Sequence, residues 1–285
     1  MNDVAQVHAD QLAYWNGAGG ERWVVEQAHT DAMLAPVAEA AIAHAAPRPG
    51  EHVLDIGCGC GMTTLALAEA VGPGGTVTGL DVSAPMLAVA QRRAEGRGQV
   101  AWTLADAAAH DFAGAGFDLL FSRFGVMFFG DPTGAFANPR RAARPAARLV
   151  LACWRALNDN PWMLLPLQAA QTVLPPLPRP GPEDPGPFAF ADTARVTRIL
   201  TGAGWTAPTF TRLDVTLDIA GGGGVEAATD HATRIGAAAR LLADQPEATR
   251  QAAKDAIRSA LAPHATADGR VGLSGGVWLV ESRNG

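Results

Sequence analysis

The chain has 285 residues, 48% of them hydrophobic and 18% charged, with 22 Lys and Arg against 28 Asp and Glu for a formal net charge of −6. That length can bury a full core, as one enlarged domain or as a domain with an inserted cap. The acidic balance excludes nonspecific partnership with nucleic acid or an anionic membrane surface, either of which needs a basic face. No apolar run reaches the roughly 18 residues that span a bilayer, and Met1–Gln6 lacks the basic and apolar regions of a secretory leader. Cys58, Cys60 and Cys153 form no disulfide framework, which suits a reducing, cytoplasmic location.

Residues 8–46 read as helical and contain a Trp-rich piece, Tyr14-Trp15-Asn16-Gly17 through Arg22-Trp23. Pro47 and Pro49 break the chain before a strand at 52–56. A helix over 61–71 ends at Gly72-Pro73-Gly74-Gly75, and the strand 76–80 runs to Asp81. A helix over 84–95, a strand at 99–104 ending near Asp106, and a strand at 117–121 ending near Ser122 follow. Next come a helix over 132–144 and an apolar strand from Arg148 to Cys153. Strands that are near-continuous apolar runs, alternating with helices, imply a parallel sheet covered on both faces.

From 155 to 192 the pattern changes. Pro175, Pro176, Pro178, Pro180, Pro182, Pro185 and Pro187 crowd a stretch that suits a helix over Pro161–Leu174 and then an ordered loop, with Trp162, Phe188 and Phe190 as apolar anchors. A flexible surface linker is the alternative. A helix at 192–203, a strand at 209–219, helical stretches at 225–243 and 246–262, and a strand at 276–281 complete the chain.

The segment that carries chemistry is Val53-Leu54-Asp55-Ile56-Gly57-Cys58-Gly59-Cys60-Gly61. A buried strand runs into a loop with glycine at every second position, where backbone can approach a ligand without side chains intervening. The spacing is G-x-G-x-G, and Met62 stands where the dinucleotide fingerprint G-x-G-x-x-G has its third glycine. Asp55 beside the loop would repel a pyrophosphate and suits a ligand bearing an ammonium and a sulfonium. In an open α/β sheet ligands bind beyond the carboxyl ends of the strands, where Asp55, Asp81, Asp106 and Ser122 collect. Taken singly, each also reads as a helix N-cap.

With these pieces the chain resembles the class I S-adenosylmethionine-dependent methyltransferases over about 50–155. The likeness rests on Val53–Gly61, Gly79-Leu80-Asp81-Val82-Ser83, Ala105-Asp106-Ala107, Phe117–Ser122 and Ala143–Leu149, with Ala146-Ala147 where a Gly-Gly is usual. Outside that core it is similar, more loosely, to the bacterial ubiquinone and menaquinone biosynthesis methyltransferases. The resemblance implies an α/β, Rossmann-like, seven-stranded, mostly parallel sheet with helices on both faces and its last strand antiparallel. It implies an N-terminal helical lid at 1–48, a cofactor core at 49–154 and an inserted cap or substrate segment at 155–191. The remainder of the core, at 192–285, would carry a helical insertion at about 225–262.

Carried over, the resemblance implies S-adenosylmethionine as cofactor and S-adenosylhomocysteine as product. Asp55, Gly57 and Gly59 would hold the amino acid end, Asp81 the ribose, and Val82 and Met86 the faces of the adenine. Asp106 with Ala107 would read the adenine edge, Ser122 would floor the methionine moiety, and Trp15, Trp23 and Tyr14 would belong to the lid.

Arg123, Met127, Phe128, Phe129, Trp154 and Trp162 suggest a pocket for a partly apolar acceptor, although core packing explains most aromatic clusters. Methyl transfer relies on positioning and water exclusion, and only an acidic acceptor needs a base; His29, Tyr14 and His231 are the candidates, and none is singled out. No metal site is expected, since Cys58 and Cys60 lack further nearby ligands. The expected partner is a small-molecule methyl acceptor, with no nucleic acid or membrane, in a monomer or homodimer. Ser122-Arg123-Phe124-Gly125 also lacks the Pro-Pro-aromatic motif of amino-methylating DNA enzymes. Two other classes stay open: a protein of the same fold that binds the cofactor for a cyclisation or as a sensor, and a nicotinamide oxidoreductase, against which Met62 counts.

Overall fold

The computed structural model describes residues 4–176, 181 and 183–285. Three helices open the chain: α1 (Val4–Asn16), α2 (Ala18–Val25) and α3 (Gln27–Ala45). The alternating core follows as β1 (His52–Ile56), α4 (Met62–Val71), β2 (Thr76–Asp81), α5 (Ala84–Arg93), β3 (Val100–Leu104), β4 (Phe117–Arg123), α6 (Pro132–Arg140) and β5 (Ala143–Trp154). The second half holds α7 (Pro161–Ala170), α8 (Thr193–Gly202), β6 (Thr209–Asp218), α9 (Gly224–Arg234), α10 (Ala237–Leu242), α11 (Glu247–Leu261) and β7 (Gly272–Arg283).

The seven strands form one sheet in the order β3-β2-β1-β4-β5-β7-β6. Strands β1 to β5 pair in parallel, and β7 runs antiparallel to both β5 and β6. The central strands are buried on both faces, which their continuous apolar runs require: Val53, Leu54 and Ile56 in β1 and Leu119, Leu120 and Phe121 in β4 are all sequestered. The edge strand β6 instead alternates exposed and half-buried residues. Strand order reverses between β1 and β4, so their carboxyl ends part and leave a crevice at the switch point.

Several boundaries differ from the sequence expectation. The helix expected over 132–144 ends at Arg140, and β5 starts at Ala143 with an irregularity opposite Phe117 to Leu119. Ala146, one of the two alanines replacing the usual glycines, sits there at φ 61°. The stretch 225–243 is two helices, because Gly236 adopts φ 93°, a conformation side chains oppose. Strand β7 starts at Gly272 rather than 276; its first residues lack an apolar pattern, and pairing with β6 from Gly272↔Asp218 onward makes them strand.

In the proline-rich stretch, α7 ends at Ala170, and Phe190 is buried beneath the Arg195 guanidinium. Pro178, Pro180 and Pro182, like Met1 to Asp3 of the leader reading, lie outside the described residues. Among the described residues no helix is long and apolar enough to cross a membrane.

Candidate active site

A cavity of about 470 Å³ opens at the carboxyl ends of β1, β2, β4 and β5. The glycine loop forms one wall. Gly57, Gly59 and Gly61 all have positive φ (69°, 56° and 85°). A Cβ on Gly57 would stand 2.7 Å from the Gly125 Cα, so this glycine lets the chain after β1 pass against the chain after β4.

Asp81 borders the cavity at the end of β2. Its Oδ2 accepts from the Gly59 N–H (2.7 Å) and its Oδ1 from the Ser83 N–H (2.8 Å). Burial raises its pKa, and these backbone donors oppose that rise. Asp106 also lines the cavity; its Oδ1 accepts from the Ala108 N–H (2.9 Å), and its Oδ2 lies 3.3 Å from His8 Nε2.

Helix α1 crosses this half of the cavity. Asn16 Nδ2 donates to the Val82 carbonyl (2.9 Å), Asn16 Oδ1 accepts from the Ala84 N–H (3.0 Å), and Ser83 Oγ donates to the Trp15 carbonyl (2.6 Å). Trp15 meets Phe128 edge-on at 5.0 Å and Trp23 at 6.3 Å, closing an aromatic roof over the cavity.

The opposite half is apolar. Phe124 adopts φ 69° and stacks on Trp154 at 4.1 Å, and Trp162 tilts against Trp154 at 5.2 Å. A bulky residue held in the left-handed region costs on the order of 1–3 kcal/mol and marks a site the surrounding fold over-determines. Arg123 reaches the wall with one contact, Nη1 to Met62 Sδ at 3.4 Å, while its Nε is buried without a partner. Burial holds its pKa below the ordinary arginine value.

Sixteen expected residues therefore share one cavity: Tyr14, Trp15, Trp23, Gly57, Gly59, Asp81, Val82, Met86, Asp106, Ala107, Arg123, Met127, Phe128, Phe129, Trp154 and Trp162. Four do not line it. Asp55 is fully buried behind the loop, where its Oδ2 accepts from Thr63 Oγ1 and Thr64 Oγ1 (both 2.7 Å). Through this oxygen it braces the first turn of α4, while its Oδ1 is buried without a partner. Burial pushes its pKa up to about 6, against the two threonine hydrogen bonds and the Arg123 charge. Ser122 Oγ donates to the Ile56 carbonyl (2.7 Å), fastening β4 to β1 instead of flooring the cavity.

His29 lies off the wall, stacked on His231 at 4.2 Å, and His231 borders only a small side recess. The three cysteines are free and buried, and burial pushes the Cys60 thiol up to about 12. His8, Gln27, Asp31, Phe124 and Arg240 line the cavity unforeseen, because nothing in a helical or loop sequence marks which face meets a distant strand end.

The wall carries Asp10, Asp31, Asp81 and Asp106 against Arg123 and Arg240. An acidic lining at short range disfavours a pyrophosphate and favours a cationic or hydroxyl-bearing ligand.

A sheet of this order with a glycine loop and acidic strand ends around its switch-point cavity defines a Rossmann-like α/β fold. Residues 53–146 match the methyltransferase domain family. Nocamycin O-methyltransferase of Saccharothrix syringae is 40% identical over 118 residues, 41% of this chain and 42% of that protein. Demethylmenaquinone methyltransferase of Thermus thermophilus is 39% identical over 102 residues, 35% of this chain and 46% of that protein. The matched stretch thus spans less than half of either curated relative.

Haemonchus contortus phosphoethanolamine N-methyltransferase 2, solved with phosphomonomethylethanolamine and S-adenosylhomocysteine, shares the fold. Its TM-score is 0.52 at 17% identity, over 88% of this chain and 53% of that one.

Proposed function

We propose that the protein is an S-adenosylmethionine-dependent methyltransferase acting on a small, partly apolar molecule. The observation that carries this reading is a single cavity with two chemically unlike halves, one of glycine backbone and carboxylates, the other aromatic. The first half fits the methyl donor. The glycine loop leaves backbone bare, Asp81 presents a carboxylate with lone pairs to spare for ribose hydroxyls, and Val82 and Met86 supply apolar flanks. Asp106 and Ala107 stand in register for the adenine edge, and Trp15 and Trp23 roof the site.

When bound, the donor supplies an electrophilic methyl carbon on a positively charged sulfur. The chain's own contribution is to orient both molecules and keep water out, which the α1 latch and the aromatic roof are built to do. Arg123, Met127, Phe128, Trp154 and Trp162 line the acceptor half.

The test is incubation with methyl-labelled donor and a panel of aromatic hydroxy, amino and thiol acceptors. The reading predicts donor-dependent label in at least one acceptor. Donor binding with no transfer to any member would instead support the same fold acting as a cyclisation catalyst or ligand sensor.

A further inference from the structure

Beside the main cavity lies a recess of about 10 Å³ that shares Trp162, Met163, Ile235 and Gly236 with it and has His231 on its far wall. That volume admits about one oxygen-sized group. Two of its residues carry buried nitrogens without a hydrogen-bond partner, Trp162 Nε1 and His231 Nε2. Buried polar atoms are ordinarily matched, so a donor and an acceptor left open on two residues that line one recess call for a ligand that supplies the converse pair.

The state of His231 follows from its neighbours. Its Nδ1 lies 3.4 Å from Glu26 Oε2, and Glu26 Oε1 is held by Arg234 Nη1 at 2.9 Å. A carboxylate accepts only, so the imidazole carries its proton on Nδ1 and leaves Nε2 bare. The His29 ring, stacked at 4.2 Å and 11° and anchored through Nε2 to the Ile219 carbonyl (3.1 Å), fixes the plane. Burial pushes the pKa of His231 down to about 4, so the ring is neutral near pH 7.

Glu26, His29 and His231 bring ligand-type atoms within 4.8 Å of one another. The Arg234 guanidinium on Glu26 and two rings stacked face to face oppose a shared cation there.

We propose that the recess receives a hydroxyl group of the methyl acceptor, whose oxygen accepts from Trp162 Nε1–H and whose proton is donated to His231 Nε2. The proposal rests on the methyltransferase reading and adds the acceptor's chemical class, an apolar ring system bearing a hydroxyl. The hydroxyl keeps its proton, which is shared in a hydrogen bond to the neutral Nε2 on the ring edge away from the Glu26 carboxylate. A thioether has no hydrogen to donate and so cannot meet both sites.

The test compares phenol with toluene, which replaces the hydroxyl by a methyl, on the full chain by NMR titration with and without S-adenosylhomocysteine. The wild type should prefer phenol by about tenfold, the worth of one to two net hydrogen bonds. The preference should fall several-fold in both Trp162→Phe and His231→Leu. The His231 ¹⁵Nε2 resonance should move with phenol and not with toluene. If His231→Leu does not fold, Trp162→Phe and the resonance carry the test.

Equal affinity for phenol and toluene, as for a recess that holds only water, would overturn the proposal. So would a full phenol preference retained in folded Trp162→Phe. Loss of S-adenosylhomocysteine binding is read separately and counts against the methyltransferase reading alone.

Discussion

Asp55 and His231 are buried ionisable side chains displaced in opposite directions. Desolvation raises Asp55 from 3.8 to about 6, so the folded chain binds its proton more tightly than the unfolded chain does. Stability from this group therefore falls as pH rises through that window, by up to about 3 kcal/mol. Desolvation, aided by the His29 charge, lowers His231 from 6.5 to about 4, so the unfolded chain takes the proton first and stability falls as pH drops through that window. The two slopes oppose each other between about pH 4 and 6.

Asp55→Asn removes the first slope. Denaturant unfolding at a series of pH values should show the variant gaining on wild type by up to about 3 kcal/mol between roughly pH 4 and 7. A difference that does not change with pH would contradict this. The motif in the sequence marks Asp55 as important, but its direction depends on Thr63 and Thr64, which hold one of its two carboxylate oxygens.

At the scale of elements, α1 differs from the other α-helices. None of its residues is buried, and its ties to the cavity rim include the Asn16 and His8 contacts and the Trp15 carbonyl and ring. An element with no buried residue opens at low free energy. Asn16→Ala removes two of these ties, and should speed dissociation of S-adenosylhomocysteine by about five- to tenfold in stopped-flow measurements. An unchanged dissociation rate would show that α1 does not latch the site.

The core strands and helices are legible in sequence because apolar runs and glycine or proline punctuation coincide, as at Val53–Gly61. Elements are misread where pairing or backbone conformation overrides side-chain pattern: β7 is strand because β6 pairs with its glycine-rich start, and the 225–243 stretch breaks at Gly236.

At the scale of the molecule, topology assembles the cavity. The glycine-and-carboxylate half of the cavity was legible because Gly57, Asp81 and Asp106 lie at or just beyond strand ends, and a parallel sheet carries those ends to one edge. The acceptor half was legible only in part. Trp154, Trp162, the Pro185–Pro187 turn, Ile235 and Arg240 come from separate stretches whose convergence no local pattern encodes. The central claim is that this cavity takes an adenosyl sulfonium cofactor and no dinucleotide. Calorimetry of the full chain with S-adenosylhomocysteine should give micromolar affinity, about −8 kcal/mol, and no comparable heat with NAD; tight NAD binding without response to the adenosyl ligand would contradict it.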